Sequence, residues 1–318
     1  MATTFKTLTA NDIVNTRTLL HEAIPLTGTI LSGTYQDLNI KTFSHGMFKS
    51  VYDYPFLSSS ANHIIDISAG YANSSGYSAS NGNLQHAKKI NVYNQLASIL
   101  VGHDVTGGIQ QFDQDGNIAD GGQKAEEVFF INFSRLLTKD EIKKGSFTIT
   151  FLTGGTPSSV QPNANTNQLT LGDYGAATSY LVNSPAGEYA LLYTSSASPA
   201  HNSAYGHLYY QAGIAVISGN VWRASSSLSP AISSKSPHAG AVLGPGHPSA
   251  SFDNLMTGSS MDVMADSIRN RIQNISFNNT VELNSTIYYC RINSNEFNYS
   301  ANPTYLDSSQ IRVKNTTS

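Results

Sequence analysis

The stretch EEVFFINFSRLLTKDEIKKGSFTITFLT, residues 126–153, decides the fold class of this chain. Its first part, VFFINF at 128–133, is a short apolar run typical of a buried strand. Its last part, SFTITFLT at 146–153, alternates apolar and polar residues, which indicates a half-buried strand. Between the two, Thr138 and Glu141 form a capping-box pattern that predicts a helical turn ending at Gly145. The stretch therefore predicts β structure interrupted by one short turn of helix.

Further strands follow toward the C-terminus, so we expect a dominant antiparallel β region from about residue 105 to 220. The segment YLVNSPAGEYALLYTS, 180–195, contains two strands that flank an SPAG turn. The segment HLYYQAGIAVIS, 207–218, contains two more strands that meet near Gly213. A last strand is expected in STIYYCRI, 285–292. The residues from 27 to 68 are predicted to form strands and loops.

Three helices are predicted, near residues 11–24, 86–101 and 259–275. The first has Asn11 as its expected N-cap and Pro25 as its stop. The third has apolar residues at helical spacing, namely Met261, Met264, Ala265, Ile268, Ile272 and Ile275. The fold class that follows is α+β, mainly antiparallel β with a sandwich-like core, three helices and long loops.

The chain is expected to have four regions: a helical and loop region over 1–104, the antiparallel β core over 105–223, a long Ser/Pro/Gly loop over 224–258, and a helix with C-terminal strands over 259–318. A loop of this composition buries too little apolar surface to offset its ordering cost. We therefore predict that residues 224–254 and 294–305 are arms that contact neighbouring subunits. Their expected anchors are aromatic and aliphatic residues: Phe252, Leu255, Phe297, Tyr299 and Tyr305.

Composition excludes several classes of protein. The chain has 318 residues, of which 12% are charged, and a formal net charge of −3. A net charge this close to zero produces only a weak electric field around the protein. This disfavours binding to nucleic acids and to an anionic membrane surface. The N-terminus has neither a basic region nor an apolar run, so a soluble protein without a secretion signal is expected. The single Cys290 excludes a disulfide framework and a Cys-based zinc site, and predicts folding in a reducing cytoplasm.

The segment FDQDGNIADGG, 112–122, is the one candidate for a metal site. Asp113, Asp115, Asn117 and Asp120 supply oxygen atoms at the spacing of a calcium-binding loop, with Asp113, Asp115 and Asn117 as the main candidates. However, Gly116 stands at the fourth loop position instead of the sixth, and Lys124 stands at the twelfth, where a bidentate Glu is required. The preferred interpretation is a DG turn within a hairpin, and the alternative is a weak cation site. No other metal and no cofactor are expected.

The familiar catalytic motifs are missing from the sequence. The nine His residues form no H-E-x-x-H pair, and neither a G-x-S-x-G elbow nor a phosphate-binding glycine motif occurs. The 21 acidic residues leave a glycosidase pair of carboxylates possible. Tyr-rich segments at 71–77 and 205–210 would suit either stacking on sugar rings or contacts between subunits. We favour subunit contacts, and a module that binds or cleaves host-surface glycans is the alternative.

Several segments resemble a family of virion structural proteins of large contractile-tailed bacteriophages, of the marine and cyanobacterial type. They include KKINVYNQLASILVGHD at 88–104, LGDYGAATSYLVNSPAGEYALLY at 171–193 and, most specifically, EFNYSANPTY at 296–305. The resemblance implies a non-enzymatic structural subunit associated with the tail or baseplate, with no catalytic residues to carry over. It also implies a location in the virion, assembled in the host cytoplasm, and contacts with other virion proteins and with copies of the same chain.

Overall fold

The computed structural model describes residues 7–27, 38–78, 83–152, 168–194, 204–222 and 252–290. The predicted arm at 294–305 and residues 224–251 of the predicted loop lie outside these ranges. The chain divides into two compact units, one made of Met1–Leu19 with Glu282–Ser318 and the other of Leu20–Val281. Antiparallel strands dominate the described residues, in sandwich-like sheets with helices and loops, which confirms the predicted fold class.

The described strands are β1 (Ile13–Thr27), β2 (Ile40–Thr42), β3 (Lys49–Tyr52), β4 (His63–Tyr71), β5 (Glu127–Phe133), β6 (Glu141–Ile142), β7 (Thr148–Leu152), β8 (Gln168–Gly172), β9 (Leu181–Ser184), β10 (Gly187–Leu192), β11 (Gly206–Tyr209), β12 (Ile214–Ser218) and β13 (Ile272–Tyr288). The described α-helices are α1 (His86–Leu100), α2 (Arg135–Thr138), α3 (Ala176–Ser179), α4 (Phe252–Gly258) and α5 (Met261–Arg269). Two short 3₁₀ turns span Ala10–Asp12 and Gly219–Trp222.

The larger sheet has eight strands in the order β2-β3-β4-β5-β12-β11-β10-β9, and the smaller has β1-β13-β7-β8 with β6 paired to β13. Strand β5 lies inside the larger sheet and is buried on both faces. Phe129, Ile131 and Phe133 point into one apolar core, whereas Val128 and Phe130 point into a second core on the opposite face. This double burial explains why the strand reads as a continuous apolar run.

The first core lies between the two sheets of the larger unit. Phe277 of β13 stands 5.2 Å from Phe133 between ring centroids, and the apolar side of α5 adds Met264 and Ile268. The second core lies under α1, which packs on the other face of the larger sheet. A Cβ atom at Gly70 of β4 would lie 2.6 Å from the Lys89 carbonyl oxygen, so the close approach of α1 requires glycine there.

The predicted helix at 11–24 is wrong, because the chain forms strand β1 there. The helix-start signal is real but extends for one turn only. The Thr9 backbone N–H and hydroxyl donate to Asp12 Oδ2, at 3.0 and 2.7 Å, around the 3₁₀ turn. The β-branched residues Ile13 and Val14 come next, and stiff β-branched side chains favour a strand over a helix.

The predicted helix at 259–275 is correct only for its first half. Helix α5 ends at Arg269, and the Asn270 side-chain amide donates to the Asp266 carbonyl at 2.8 Å. Ile272 and Ile275 then belong to β13 and are both buried. The pairing of β13 with β7 shifts register between Ile272 and Asn274, and such a bulge lets two residues three positions apart face the same core. The bulged strand therefore imitates helical spacing.

The helix at 86–101 and the strands around the SPAG turn and Gly213 are confirmed as α1, β9, β10, β11 and β12. The helical turn predicted from Thr138 to Gly145 lies earlier in the chain, as α2. Ser134 caps this helix, because its hydroxyl accepts a hydrogen bond from the Leu136 N–H at 3.3 Å. Glu141 lies in β6 and not in a helix. Strands β2, β3 and β4 join the same sheet as β5, so residue 104 does not separate two regions of different structure. The last part of the expected loop at 224–258 forms α4.

Candidate functional site

Residues 112–124, which we call the aspartate loop, form a closed loop whose ends meet. The Ala125 N–H donates to the Phe112 carbonyl at 2.8 Å, just outside a single β-bridge between Asp113 and Lys124. Gly116 has φ +86°, the left-handed conformation that the DG pattern predicts. The turn is therefore confirmed, although no regular strands flank it as the hairpin prediction required.

Three carboxylates converge in this loop. One oxygen atom from each of Asp113, Asp115 and Asp120 lies within 4.8 Å of the others. Asp113 Oδ1 accepts the backbone N–H groups of Asp115 and Gly116, at 2.8 and 3.1 Å. Asn117 donates its side-chain amide to Asp120 Oδ2 at 2.8 Å. Of the four residues that the sequence suggested, Asp113, Asp115 and Asp120 are thus brought together, and Asn117 positions Asp120.

Lys124 supplies a positive charge to these carboxylates. Its ammonium group forms an ion pair with Asp113 Oδ2 and lies 3.8 Å from Asp120 Oδ1. It also donates to the Ile118 carbonyl at 3.3 Å. Asp113 is fully buried, so this ion pair compensates a carboxylate that has left water. Lys124, the residue that departs from the calcium-loop pattern, therefore places its ammonium group among the loop oxygens.

The electrostatics of Asp115 follow from the same crowding. A hydrogen bond with the Asp113 carboxyl raises the pKa of Asp115, because two neighbouring carboxyls share a proton more readily than they share two negative charges. Lys124 acts in the opposite direction on that pKa. The recorded hydrogen bonds and ion pairs of the three carboxylate groups all lie within the loop, and together they fix its conformation.

A buried histidine ties the aspartate loop to the larger sheet. His207 of β11 hydrogen-bonds through Nε2 to the Asp113 carbonyl, and its Nδ1 lies 3.2 Å from the Tyr209 hydroxyl. Because a carbonyl can only accept, Nε2 carries the proton and Nδ1 accepts. The Tyr189 hydroxyl donates to the Gly116 carbonyl at 3.3 Å and adds a second tie. Burial lowers the pKa of His207 to about 4, so the imidazole is neutral at pH 7.

This histidine predicts a specific response to acid. The pKa of His207 falls from 6.5 to about 4 on folding. Between pH 6.5 and pH 4, His207 therefore binds a proton in the unfolded chain but stays neutral in the folded chain. Stability is therefore expected to fall as the pH drops from 6.5 to 4. His207→Gln can keep the hydrogen bond to Asp113 without titrating. Urea unfolding between pH 7 and 4 measures how the free energy of unfolding depends on pH. The slope of this dependence should be shallower for the variant, by an amount that corresponds to at most one bound proton. Equal slopes for the variant and the wild type would contradict the assignment.

The structure corrects two of the predicted interface anchors. Leu255 is 1% exposed and Phe252 is buried in the same core, where its ring meets the Tyr77 ring at 6.2 Å. Both side chains belong to the interior of the chain itself, because α4 packs its apolar residues inward. They are not available to a neighbouring subunit. Phe297, Tyr299 and Tyr305 lie outside the described residues and remain predicted anchors.

The tyrosines that suggested sugar stacking are also internal. Tyr71, Tyr205, Tyr209 and Tyr210 are at most 1% exposed. Tyr77 is partly buried, and its hydroxyl donates to the Asp253 carboxylate. Stacking on a sugar requires an exposed ring face, so these residues do not support the glycan hypothesis.

A feature that the sequence did not reveal lies in the smaller unit. Residues 13–19 of β1 pair with residues 282–288 of β13, and we call this pair the ribbon. Thr16 and Ser285 hydroxyls meet at 2.6 Å across it, and the Thr286 hydroxyl donates to Asn15 Oδ1 at 2.7 Å. Residues on both faces of the ribbon are exposed, including the apolar side chains of Val14, Leu19, Leu283, Ile287 and Tyr288.

Among the described ranges, no helix has the length and apolar character needed to cross a bilayer. No family model, curated protein or solved structure matches this chain.

Proposed function

We propose that this chain is a non-enzymatic structural subunit of a tailed-bacteriophage virion, in the tail or baseplate. It acts through contacts with other virion proteins and with copies of itself. The resemblance of segments such as EFNYSANPTY, 296–305, supports the phage assignment. The exposed ribbon is the structural observation that supports a function based on subunit contacts.

The argument from the ribbon is energetic. An apolar side chain that is left in water is stabilised when a partner surface covers it. Here Leu19 and Leu283 are 47% and 50% exposed, and Ile287 is 46% exposed. A subunit that acquires its neighbours on assembly would cover such side chains there.

The polar clusters of the larger unit favour a structural role for the same chain. The carboxylates of the aspartate loop are engaged by backbone N–H groups and by Lys124. The buried Asp173 carboxyl accepts from the Gly145 and Phe147 N–H groups and from the Tyr210 hydroxyl, at 2.6, 2.9 and 2.8 Å. Side chains that are engaged in this way stabilise the loops that carry them, which suits a structural role.

The test is quantitative mass spectrometry of phage particles purified on a density gradient from host cells that produce this chain. We expect the chain in a fixed ratio to the other particle proteins, and we expect that ratio to survive a high-salt wash. An abundant host cytoplasmic protein serves as the control and should be washed away. A chain that stays in the lysate and is absent from intact particles would overturn the proposal.

A further inference from the structure

Lys89 of α1 is a buried cation that lies outside the aspartate loop. Its side chain is 0% exposed. The ammonium group donates to the Met256 carbonyl of α4 at 2.7 Å and lies 5.9 Å from the centre of the Tyr71 ring. Within the part of the chain that the structure describes, it has no carboxylate partner. A carbonyl and a ring face compensate a buried charge less well than a carboxylate does, so the position of this ammonium group is costly.

The titratable groups on the elements around Lys89 have partners of their own. These groups are Tyr71 of β4, His86, Lys88 and Tyr93 of α1, Glu127 of β5 and Asp253 of α4. Burial raises the pKa of Tyr71, which keeps its hydroxyl protonated in weak base. Burial lowers the pKa of Lys89 to about 8. The charge of Lys89 therefore changes in a range of pH in which the Tyr71 hydroxyl stays neutral.

Helix α4 is the element that separates the Lys89 ammonium group from water. The backbone of Lys89 is fixed against β4, since its carbonyl lies where a side chain at position 70 would begin. The hydrogen bond of the ammonium group is to α4. Helix α4 has seven residues, and a helix of this length is marginal without its packing. It is held by the buried side chains of Leu255 and Met256.

We propose that α4, Phe252–Gly258, is a latch that closes over Lys89, so that the closed latch favours the neutral amine and the open latch favours the solvated ammonium group. Closing the latch at neutral pH buries a charge, so α4 is held more weakly than its apolar contacts alone would hold it. Local opening of this kind draws on the least stable parts of a fold. The inference concerns the chain itself and does not rest on the proposed function.

The direction of the pH dependence follows from the two states of Lys89. Its pKa is about 8 in the closed latch and has the ordinary value of 10.5 when the latch is open. Between these values the open latch binds one more proton than the closed latch. Opening should therefore become rarer as the pH rises from 8 toward 10.5.

Hydrogen–deuterium exchange of the full-length chain, followed by mass spectrometry from pH 8 to pH 9.5, measures this opening. The conditions are chosen so that each peptide keeps a single mass envelope. The exchange rate divided by the rate of an unstructured peptide then gives the equilibrium constant for opening. For peptides that cover α4, this constant should fall roughly tenfold over the range in the wild type. It should stay constant in Lys89→Met, because methionine binds no proton in either state.

Lys88→Met is the matched control, since it removes the neighbouring exposed lysine, and it should keep the pH dependence of the wild type. Lys89→Gln is neutral and keeps a donor for the Met256 carbonyl, and it replaces Lys89→Met if circular dichroism shows that variant to be unfolded. Peptides of β5 should exchange more slowly than those of α4 at every pH. The inference is overturned if the wild type and the Lys89 variant show the same pH dependence, or if α4 opens only together with β5.

Discussion

Lys124→Met is expected to lower the free energy of unfolding by about 3 kcal/mol, because it leaves the Asp113 carboxylate buried without its counter-ion. Asp113 is 0% exposed and Lys124 retains only 19% exposure, so water cannot replace the lost ammonium group. Methionine keeps most of the lysine volume, which confines the change to charge. Urea unfolding at pH 7 measures the difference.

A double-mutant cycle separates the lost ion pair from other effects. Asp113→Asn removes the charge and can still accept the Asp115 N–H through its amide oxygen, so the double variant with Lys124→Met should be more stable than Lys124→Met alone. The control is Lys88→Met, which removes an exposed ammonium that donates to the His45 carbonyl, and it should change stability by less than about 0.5 kcal/mol. A loss below about 1 kcal/mol in Lys124→Met would mean that Asp113 does not depend on Lys124.

The parts of the fold that the sequence predicts are those that local burial determines. VFFINF at 128–133 is apolar throughout because β5 is covered on both faces, and this pattern is visible without knowing its neighbours. The turns at SPAG and at Gly213 are equally local, since Gly187 and Gly213 both have positive φ. Strands joined by such turns pair with each other, so their arrangement follows as well.

The predictions that are wrong concern segments whose structure depends on residues far away in the sequence. Residues 13–27 become a strand because β13, more than 250 positions later, provides its pairing partner. Residues 272–275 leave the helical pattern because β7 pairs with them. A helical periodicity records which side chains are buried, and a bulged strand can bury the same set. The surroundings of Leu255 were unpredictable for the same reason, since a sequence does not show what α4 packs against.

Some features of the candidate site can also be predicted from the sequence, whereas others depend on the fold. The turn geometry around Gly116 and the failure of the calcium pattern at Lys124 are both visible in the sequence. The position of the Lys124 ammonium among the loop oxygens depends on the fold, as does the tie between His207 and Asp113, which stand 94 positions apart. The ribbon was missed because its two strands come from opposite ends of the chain.

Phe112→Ala is expected to have the larger effect on stability, about 3–5 kcal/mol, because it empties the centre of the second core. The Phe112 side chain is fully buried, and its ring centroid lies 5.4 Å from that of Tyr93 and 5.8 Å from those of Phe130 and His207. It thus joins α1, the larger sheet and the start of the aspartate loop.

The stability that Phe112→Ala loses shows whether Phe112 holds the aspartate loop in the core or whether the loop is only loosely attached to it. Phe112→Leu keeps most of the apolar volume and should lose clearly less than the alanine variant. Leu57→Ala, at a residue that is 88% exposed, should change stability by less than about 0.5 kcal/mol. Thermal and urea unfolding of the three variants give the comparison. If Phe112→Ala lost no more than Leu57→Ala, the aspartate loop would be a surface loop that the core does not need. A loss of several kcal/mol would show that the loop and the core fold as one unit, since the same ring contacts Tyr93 of α1 and His207 of β11.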